Sequence, residues 1–191
     1  MKILTPTLIA FSFVFFNCSK TPEAKTTPAA QSQPGNSSVS VAMVSSVRAN
    51  EGKKAAEFTW NDGNGNKVTF SDFAKDNIVL VNFWATWCGP CKAELPDLVS
   101  LHNDYKGKNV KVIGISVDRD TDVLGLVRNF AAEHKITYPI VVDDGRLEEA
   151  FGGIRGITTS FFVNKKGEVV KKLIGLQSKE TFESALIAAE K

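Results

Sequence analysis

An almost continuous apolar run that leads directly into a helix pattern constrains this fold more than any other feature of the sequence. Residues 78–84 are apolar except for Asn82, which is the pattern of a strand covered on both faces. A helix is predicted from about Cys88 to Tyr105, with leucines at core spacing on one side and Pro96 inside it as a kink. The sequence therefore predicts a central strand followed at once by a long helix.

Shorter segments on both sides of this unit alternate between strand and helix patterns. Strand patterns at 57–60 and 67–70 flank a stretch dense in turn-forming residues and predict a hairpin, and Ser71 and Asp72 are predicted to cap a short helix. Further strands are predicted at 110–117, 138–142, 160–163 and 168–174, and further helices at 123–135, 146–151 and 178–190. This order predicts an α/β domain with a mixed central sheet and helices on both faces.

Two cysteines stand at the predicted start of the long helix. Cys88 and Cys91 lie one helical turn apart on the same side. We expect the free N–H groups and the positive dipole end of the first turn to favour the thiolate of Cys88. Cys88 is thus the predicted nucleophile of thiol–disulfide exchange, and Cys91 is the predicted resolving thiol that attacks the mixed disulfide. Pro90 suits the first turn and stiffens the small ring.

Two other uses of the cysteine pair fit the sequence poorly. A structural zinc site needs four Cys or His ligands, whereas the remaining candidates are Cys18 and two isolated histidines, His102 and His134. A purely structural disulfide would close a very small loop and would constrain the unfolded chain little. The sequence therefore predicts a redox-active disulfide, Cys88–Cys91, with no metal and no other cofactor.

The amino terminus has the pattern of an export signal. A lysine precedes a mostly apolar run at 3–16, shorter than the roughly 20 residues that span a bilayer. Cys18 follows and resembles the lipid-modified cysteine of bacterial lipoproteins, although Asn17 and Phe15 depart from the usual residues before it. We expect residues 1–17 to be a signal peptide and Cys18 to carry a lipid. The alternative is an uncleaved or differently cleaved segment with Cys18 as an ordinary thiol.

The segment after Cys18 has the composition of a tether. Residues 19–50 are rich in Thr, Pro, Ala, Ser, Gln and Val, contain no aromatic residue and show no sustained period. We predict a lipid-anchored flexible linker over 18–50 and a folded domain over 51–191, where about 140 residues suffice for one core. A formal net charge of +2 argues against nucleic acid as a partner.

The residues around the cysteine pair resemble a known active site. The run that looks like the active-site segment of thioredoxin-fold proteins consists of Phe83, Trp84, Ala85, Thr86, Trp87, Cys88, Gly89, Pro90, Cys91 and Lys92. The likeness extends from about Ala55 to Lys191. The leading hairpin and an extra helix–strand segment at 122–142 make the chain most similar to the membrane-anchored TlpA/ResA-like branch. The resemblance implies a thioredoxin-like three-layer fold, in which Trp87, Gly89 and Pro90 support the two cysteines.

The resemblance also implies roles for Glu94 and Thr158. Thioredoxin has a buried Asp six residues before its first cysteine, where this chain has Asn82, which cannot accept a proton. In the ResA-like branch a glutamate three residues after the second cysteine does related work, and Glu94 holds that place as a candidate for proton transfer. A solvated helix carboxylate is the alternative. Thr158 holds the cis-proline place of the loop that faces the cysteines, which leaves the Ile157–Thr158 bond either cis or trans and the partner-holding role of the loop open.

These features together predict an exported enzyme, a membrane-anchored lipoprotein that faces the periplasm or extracytoplasmic space. The resemblance implies a thiol–disulfide oxidoreductase that reduces protein disulfides, for example apocytochrome c in cytochrome c maturation, with electrons from a membrane thiol donor. Two alternatives remain open. One is a general disulfide oxidase or isomerase, and the other is a binding module that uses the cysteine pair only incidentally.

Overall fold

The computed structural model describes residues 39–190 of the chain. In this range the strands are β1 (Val41–Met43), β2 (Ser46–Arg48), β3 (Glu57–Asn61), β4 (Lys67–Thr69), β5 (Ile78–Trp84), β6 (Val110–Ser116), β7 (Ile140–Val142), β8 (Thr159–Val163) and β9 (Val169–Ile174). The helices are α1 (Phe70–Ala74), α2 (Gly89–Asp104), α3 (Val123–Glu133), α4 (Arg146–Ala150) and α5 (Lys179–Ala189). The predicted signal peptide, Cys18 and the predicted linker up to residue 38 lie outside the described residues. Between residues 39 and 190, no helix combines the length and the hydrophobicity needed to cross a bilayer.

β5 lies inside a six-stranded sheet with the order β1-β7-β6-β5-β8-β9. It pairs in parallel with β6, from Ile78 opposite Val110 to Trp84 opposite Ser116, and antiparallel with β8. Every residue of β5 is buried, because strands flank it and its two faces are both covered. The predicted central strand and the predicted mixed sheet are confirmed.

Successive residues of β5 show that helices cover both faces of this sheet, since side chains alternate along a strand. Asn82 contacts α2 on one face, and Trp84 packs on the same face against Phe130 of α3, with 5.2 Å between ring centroids. Phe83 points to the other face, where its ring lies 5.3 Å from that of Phe151 at the end of α4. The predicted three-layer arrangement is therefore confirmed.

A smaller antiparallel sheet has the order β2-β3-β4. β3 and β4 form the predicted hairpin, and the Asp62 carboxylate closes its turn by accepting the backbone N–H groups of Asn64 and Asn66 at 2.9 and 2.8 Å. Phe58 of β3 stacks on Phe70 of α1, with 4.8 Å between ring centroids. The hairpin thus carries its own aromatic cluster beside the main sheet.

Residues 39–50 belong to the folded domain, contrary to the tether predicted over 18–50. β1 pairs in parallel with β7, with Val41 opposite Ile140, and β2 pairs with β3. Val41 and Val44 are only 7% and 5% exposed. Valine favours strands, but segments this short are stable only when partners from distant parts of the chain complete them. The prediction of a flexible linker is therefore wrong for residues 39–50.

Candidate active site

The loop between β5 and α2 presents the cysteine pair at the start of the helix. α2 begins at Gly89, and Cys88 is its N-cap residue, whose sulfur accepts a hydrogen bond from the Cys91 backbone N–H at 3.1 Å. Pro90 lies in the first turn, where a helix does not need the missing N–H. The predicted position of the pair at a helix N-terminus is confirmed.

Cys88 and Cys91 form a disulfide bond, with their Cα atoms 5.3 Å apart. The two cysteines are 5% and 2% exposed, so Cys88 is the more accessible of the two. Trp87 is 67% exposed, and Gly89 and Pro90 are exposed as well. The disulfide therefore lies just below an exposed surface, in an arrangement that suits the predicted nucleophile and resolving thiol.

Glu94, one helical turn after Cys91 on α2, is buried, with 1% exposure. One of its carboxylate oxygens accepts a hydrogen bond from the Thr158 hydroxyl at 2.7 Å and another from the Asn82 amide at 3.0 Å. The other oxygen accepts the backbone N–H of Gln177 at 3.0 Å. The alternative of a solvated helix carboxylate is therefore wrong.

Burial also sets the protonation behaviour of Glu94. Desolvation raises the pKa of this carboxyl above its ordinary value, because the charged form loses its contact with water. The hydrogen bonds from Thr158, Gln177 and Asn82 oppose this rise, whereas the negative charge of Asp97 adds to it. A buried carboxyl with a raised pKa is suited to take up and release a proton next to a redox centre.

Asn82, in the middle of β5, connects α2 to the segment that begins β8. Its amide nitrogen lies 2.9 Å from the hydroxyl oxygens of both Thr158 and Ser160, in addition to its bond to Glu94. The side chain is buried. At the place where thioredoxin has its buried Asp, this chain therefore has a hydrogen-bond donor to the carboxylate of Glu94.

Thr158 lies directly before β8 and is buried. The Ile157–Thr158 peptide bond is cis, which is one of the two possibilities that the sequence left open. The Thr158 carbonyl accepts the backbone N–H of Gly175 at 2.8 Å. Its hydroxyl donates to Glu94. The structure therefore assigns this hydroxyl a contact with the buried carboxylate.

Known proteins resemble this chain both in sequence and in fold. The family model of the AhpC/TSA family matches residues 52–172. The thiol-disulfide oxidoreductase ResA of Bacillus thuringiensis (strain Al Hakam) is 37% identical over 135 residues, which cover 71% of this chain and 76% of that relative. This chain belongs to the AhpC/TSA family. It is a thiol–disulfide oxidoreductase with a thioredoxin fold, of the TlpA/ResA-like branch.

Further relatives of this oxidoreductase agree in sequence and in fold. ResA of Bacillus subtilis (strain 168) is 32% identical over 125 residues, covering 65% of this chain and 68% of that relative. A thiol:disulfide interchange protein of the thioredoxin family from Chlorobium tepidum TLS superposes with a TM-score of 0.64 at 31% identity, covering 74% of this chain and 99% of that one. StoA from Bacillus subtilis gives a TM-score of 0.59 at 30% identity, covering 70% and 98%.

Sequence reasoning missed one buried carboxylate near the active site of this oxidoreductase. Asp118, just after β6, accepts the Thr86 backbone N–H at 3.1 Å, the Thr86 hydroxyl at 2.6 Å and the Ser116 hydroxyl at 2.8 Å. Thr86 belongs to the loop that leads to Cys88, so Asp118 fixes the path of that loop. The sequence could have indicated this contact, because Asp118 follows the predicted strand β6 just as Thr86 follows β5. The carboxyl ends of these two parallel strands meet at one edge of the sheet.

Proposed function

We propose that this oxidoreductase is an exported, lipid-anchored reductase of protein disulfides. The observation that carries the proposal is the disulfide at the N-terminus of α2 together with the buried carboxyl of Glu94 one turn further along the same helix. A reductase passes both electrons of its dithiol to its partner. It therefore needs a nucleophilic thiolate and a group that removes the proton from its second thiol. Cys88 and Glu94 are suited to these two tasks.

The first step forms a bond between Cys88 and the partner. In the reduced protein the Cys88 thiolate, favoured by the first turn of α2, attacks one sulfur of the partner disulfide. The S–S bond of the partner breaks, a mixed disulfide with Cys88 forms, and one partner thiolate leaves.

The second step releases the partner. Glu94 takes the proton of the Cys91 thiol, and the resulting thiolate attacks the Cys88 sulfur. The bond between Cys88 and the partner breaks, the Cys88–Cys91 disulfide forms, and the second partner thiolate leaves. The partner has then gained two electrons and takes up two protons, one of which can return from Glu94 by way of water. A dithiol donor, which we infer to be in the membrane, reduces the disulfide again.

The surface around the site is suited to a protein partner. Trp87 next to Cys88, Ile174 opposite Thr159 in the β8–β9 pairing and Leu176 are exposed apolar side chains. The two neighbours of Leu176 in the chain contact the site: the N–H of Gly175 binds the carbonyl of Thr158, and the N–H of Gln177 binds the Glu94 carboxylate. Exposed apolar groups around a reactive group favour contact with another polypeptide. Apocytochrome c and other exported cysteine-containing proteins are the substrates that the resemblance favours.

The amino-terminal sequence supports the proposed location. Residues 1–17 have the pattern of a signal peptide and Cys18 that of a lipidation site. Residues 18–38 would then connect the lipid to the domain on the periplasmic or extracytoplasmic side. A mass spectrum of the mature amino terminus tests this part of the proposal: a diacylglyceryl or triacylated Cys18 is expected, and an unmodified Cys18 contradicts the anchor.

A trapping experiment tests the reductase itself. Cys91→Ser removes the resolving thiol, so the variant is expected to accumulate mixed disulfides with protein partners through Cys88, whereas Cys88→Ser is expected to trap none. A reduction potential near that of thioredoxin, about −270 mV, is expected, and one near about −120 mV would indicate an oxidase. If Cys91→Ser traps no partner from the cell envelope, the binding module is favoured instead.

A further inference from the structure

The Thr158 hydroxyl occupies a defined place in the buried hydrogen-bond network. It donates to one oxygen of Glu94 at 2.7 Å and lies 2.9 Å from the Asn82 amide, which donates to it. Since Asn82 also donates to that same Glu94 oxygen, the three side chains form a closed triangle between β5, α2 and the start of β8. A hydroxyl that is fixed by both an acceptor and a donor has one orientation. Its proton therefore points at the carboxylate.

The backbone on either side of Leu176 holds the same two residues together. The N–H of Gly175 binds the carbonyl of Thr158, and the N–H of Gln177 binds the second oxygen of Glu94. The segment after β9 thus contacts Thr158 and the carboxylate at once. This arrangement leaves little freedom for Glu94 to turn away from the hydroxyl.

We propose that Thr158 is a positioning residue for proton transfer, whose hydroxyl holds the carboxylate of Glu94 in place and favours its ionised form. The inference rests on the proposed role of Glu94 as the proton acceptor of Cys91. The physical reason is general, because a hydrogen bond donated to a carboxylate stabilises the charged form and lowers its pKa. Thr158 holds the place at which the resembling family has a proline. Proline has no side-chain donor and cannot form this hydrogen bond to Glu94.

Other titratable and charged groups near Glu94 also influence the pKa of its carboxyl. On its own helix, Asp97 raises the pKa of Glu94. Cys91 on this helix and Cys88 at its N-cap supply the two thiol groups of the reduced protein. Tyr138, before β7, is fully buried, and burial together with the charge of Glu94 raises its pKa. At the start of α5, the backbone N–H of Lys179 binds Asp97, while its ammonium group binds Asp104.

The direct test measures the titration of the Glu94 carboxyl by carbon-13 NMR in the oxidised full-length protein, with Glu94→Gln to assign the signal. Thr158→Val removes the hydroxyl and keeps the branched shape, and the midpoint is expected to move to higher pH. Thr158→Ser restores the donor and should return the midpoint toward that of the natural protein. Thr159→Val removes a neighbouring hydroxyl that donates to the Gly156 carbonyl and should leave the midpoint unchanged.

A kinetic measurement tests how strongly the Thr158 hydroxyl affects the rate of the resolving step. The reduced protein is mixed with oxidised glutathione, and the rate at which Cys91 resolves the mixed disulfide is followed against pH. The loss of a charge-assisted hydrogen bond should raise the Glu94 midpoint by about one pH unit. At pH values below that midpoint, Thr158→Val should therefore slow the resolving step about tenfold, with Thr158→Ser close to the natural protein. Urea unfolding confirms that each variant is folded, and Thr158→Ala serves as the hydroxyl-free variant if the valine does not fit.

The two possible failures give different results. If Glu94→Gln changes the pH profile but Thr158→Val and Thr158→Ala leave both the profile and the carboxyl midpoint as they are, the role of Thr158 is overturned and that of Glu94 stands. If Glu94→Gln itself leaves the profile of the resolving step unchanged, the proposed proton acceptor is wrong, and the inference about Thr158 falls with it.

Discussion

At the scale of single residues, Glu94 ties the stability of the domain to pH. Burial raises the pKa of this carboxyl in the folded protein above its value in the unfolded chain, so its ionisation costs more free energy in the folded state. Its contribution to stability is therefore complete below the unfolded pKa and is lost as the pH rises through the raised, folded pKa. Above the raised, folded pKa the buried charge works against folding.

Replacement of Glu94 by glutamine removes this ionisation and keeps the shape of the side chain. We expect the free energy of unfolding of Glu94→Gln to rise relative to that of the natural protein as the pH is raised from about 4 to about 8. Urea unfolding of the oxidised proteins over a pH series measures the difference. Glu133→Gln, which changes an exposed carboxylate on α3, is the control. A difference for Glu94→Gln that stays constant over the whole pH range would contradict the assignment.

The sequence predicted where Glu94 lies on its helix but not that it is buried. Helical spacing depends on neighbours in the chain, and the cysteine pair marked the start of α2 clearly. Burial depends on donors that are distant in sequence: Thr158 is 64 positions away and Gln177 is 83 positions away. No local pattern around Glu94 contains that information, so the solvated and the buried carboxylate look alike in the sequence.

At the scale of elements, Asp118 joins the end of β6 to the loop before α2. Asp118→Ala would leave the backbone N–H of Thr86 and the hydroxyls of Thr86 and Ser116 without their acceptor. Because unpaired buried polar groups are costly, we expect a loss on the order of 3 kcal/mol in the free energy of unfolding. Asp120→Ala changes an exposed carboxylate two residues further on, and we expect it to stay within about 0.5 kcal/mol. Equal stabilities for the two variants would rule out a role for Asp118 in holding the loop.

The helix α1 begins earlier in the chain than the sequence predicted. The sequence predicted a cap at Ser71 and Asp72, whereas in the structure Thr69 is the N-cap residue and its hydroxyl accepts the Asp72 backbone N–H at 3.1 Å. Several residues that can cap stand close together here, and only the end of β4 decides among them. Thr69→Ala should lower the free energy of unfolding by about 1 kcal/mol, and Ser71→Ala should lower it by less. Chemical denaturation measures the free energy of unfolding of both variants. A larger loss for Ser71→Ala than for Thr69→Ala would show that Ser71 is the cap, as the sequence predicted.

At the scale of the whole molecule, the long and strongly patterned elements were predictable and the shortest ones were not. β5 matches its predicted bounds residue for residue, since a central strand that is buried on both faces is almost entirely apolar, here with Asn82 as the one polar residue. β1 and β2 have three residues each, and the composition around them is that of a linker. They form strands because β1 pairs with the edge of β7 and β2 pairs with the edge of β3. The local sequence pattern contains no information about these distant partners.

This difference in domain boundary leads to a prediction for the whole domain. A chain that begins at residue 51, the predicted boundary, lacks β1 and β2, exposes the edge of β7 and removes the burial of Val41 and Val44. Full burial of a valine side chain stabilises a fold by about 1.5 to 3 kcal/mol. We therefore expect residues 51–191 to be less stable than residues 36–191 by about 3 kcal/mol or more in urea unfolding.

Point variants in the longer chain separate the loss of side-chain packing from the loss of chain length. Val41→Ala together with Val44→Ala should cause a large part of the same loss, because both side chains leave the core. Met43→Ala is the control, since its side chain lies on β1 but is 36% exposed. If the short and the long chain unfold at the same urea concentration and the double variant matches Met43→Ala, residues 39–50 contribute nothing to the fold and the sequence-based boundary at residue 51 is the correct one.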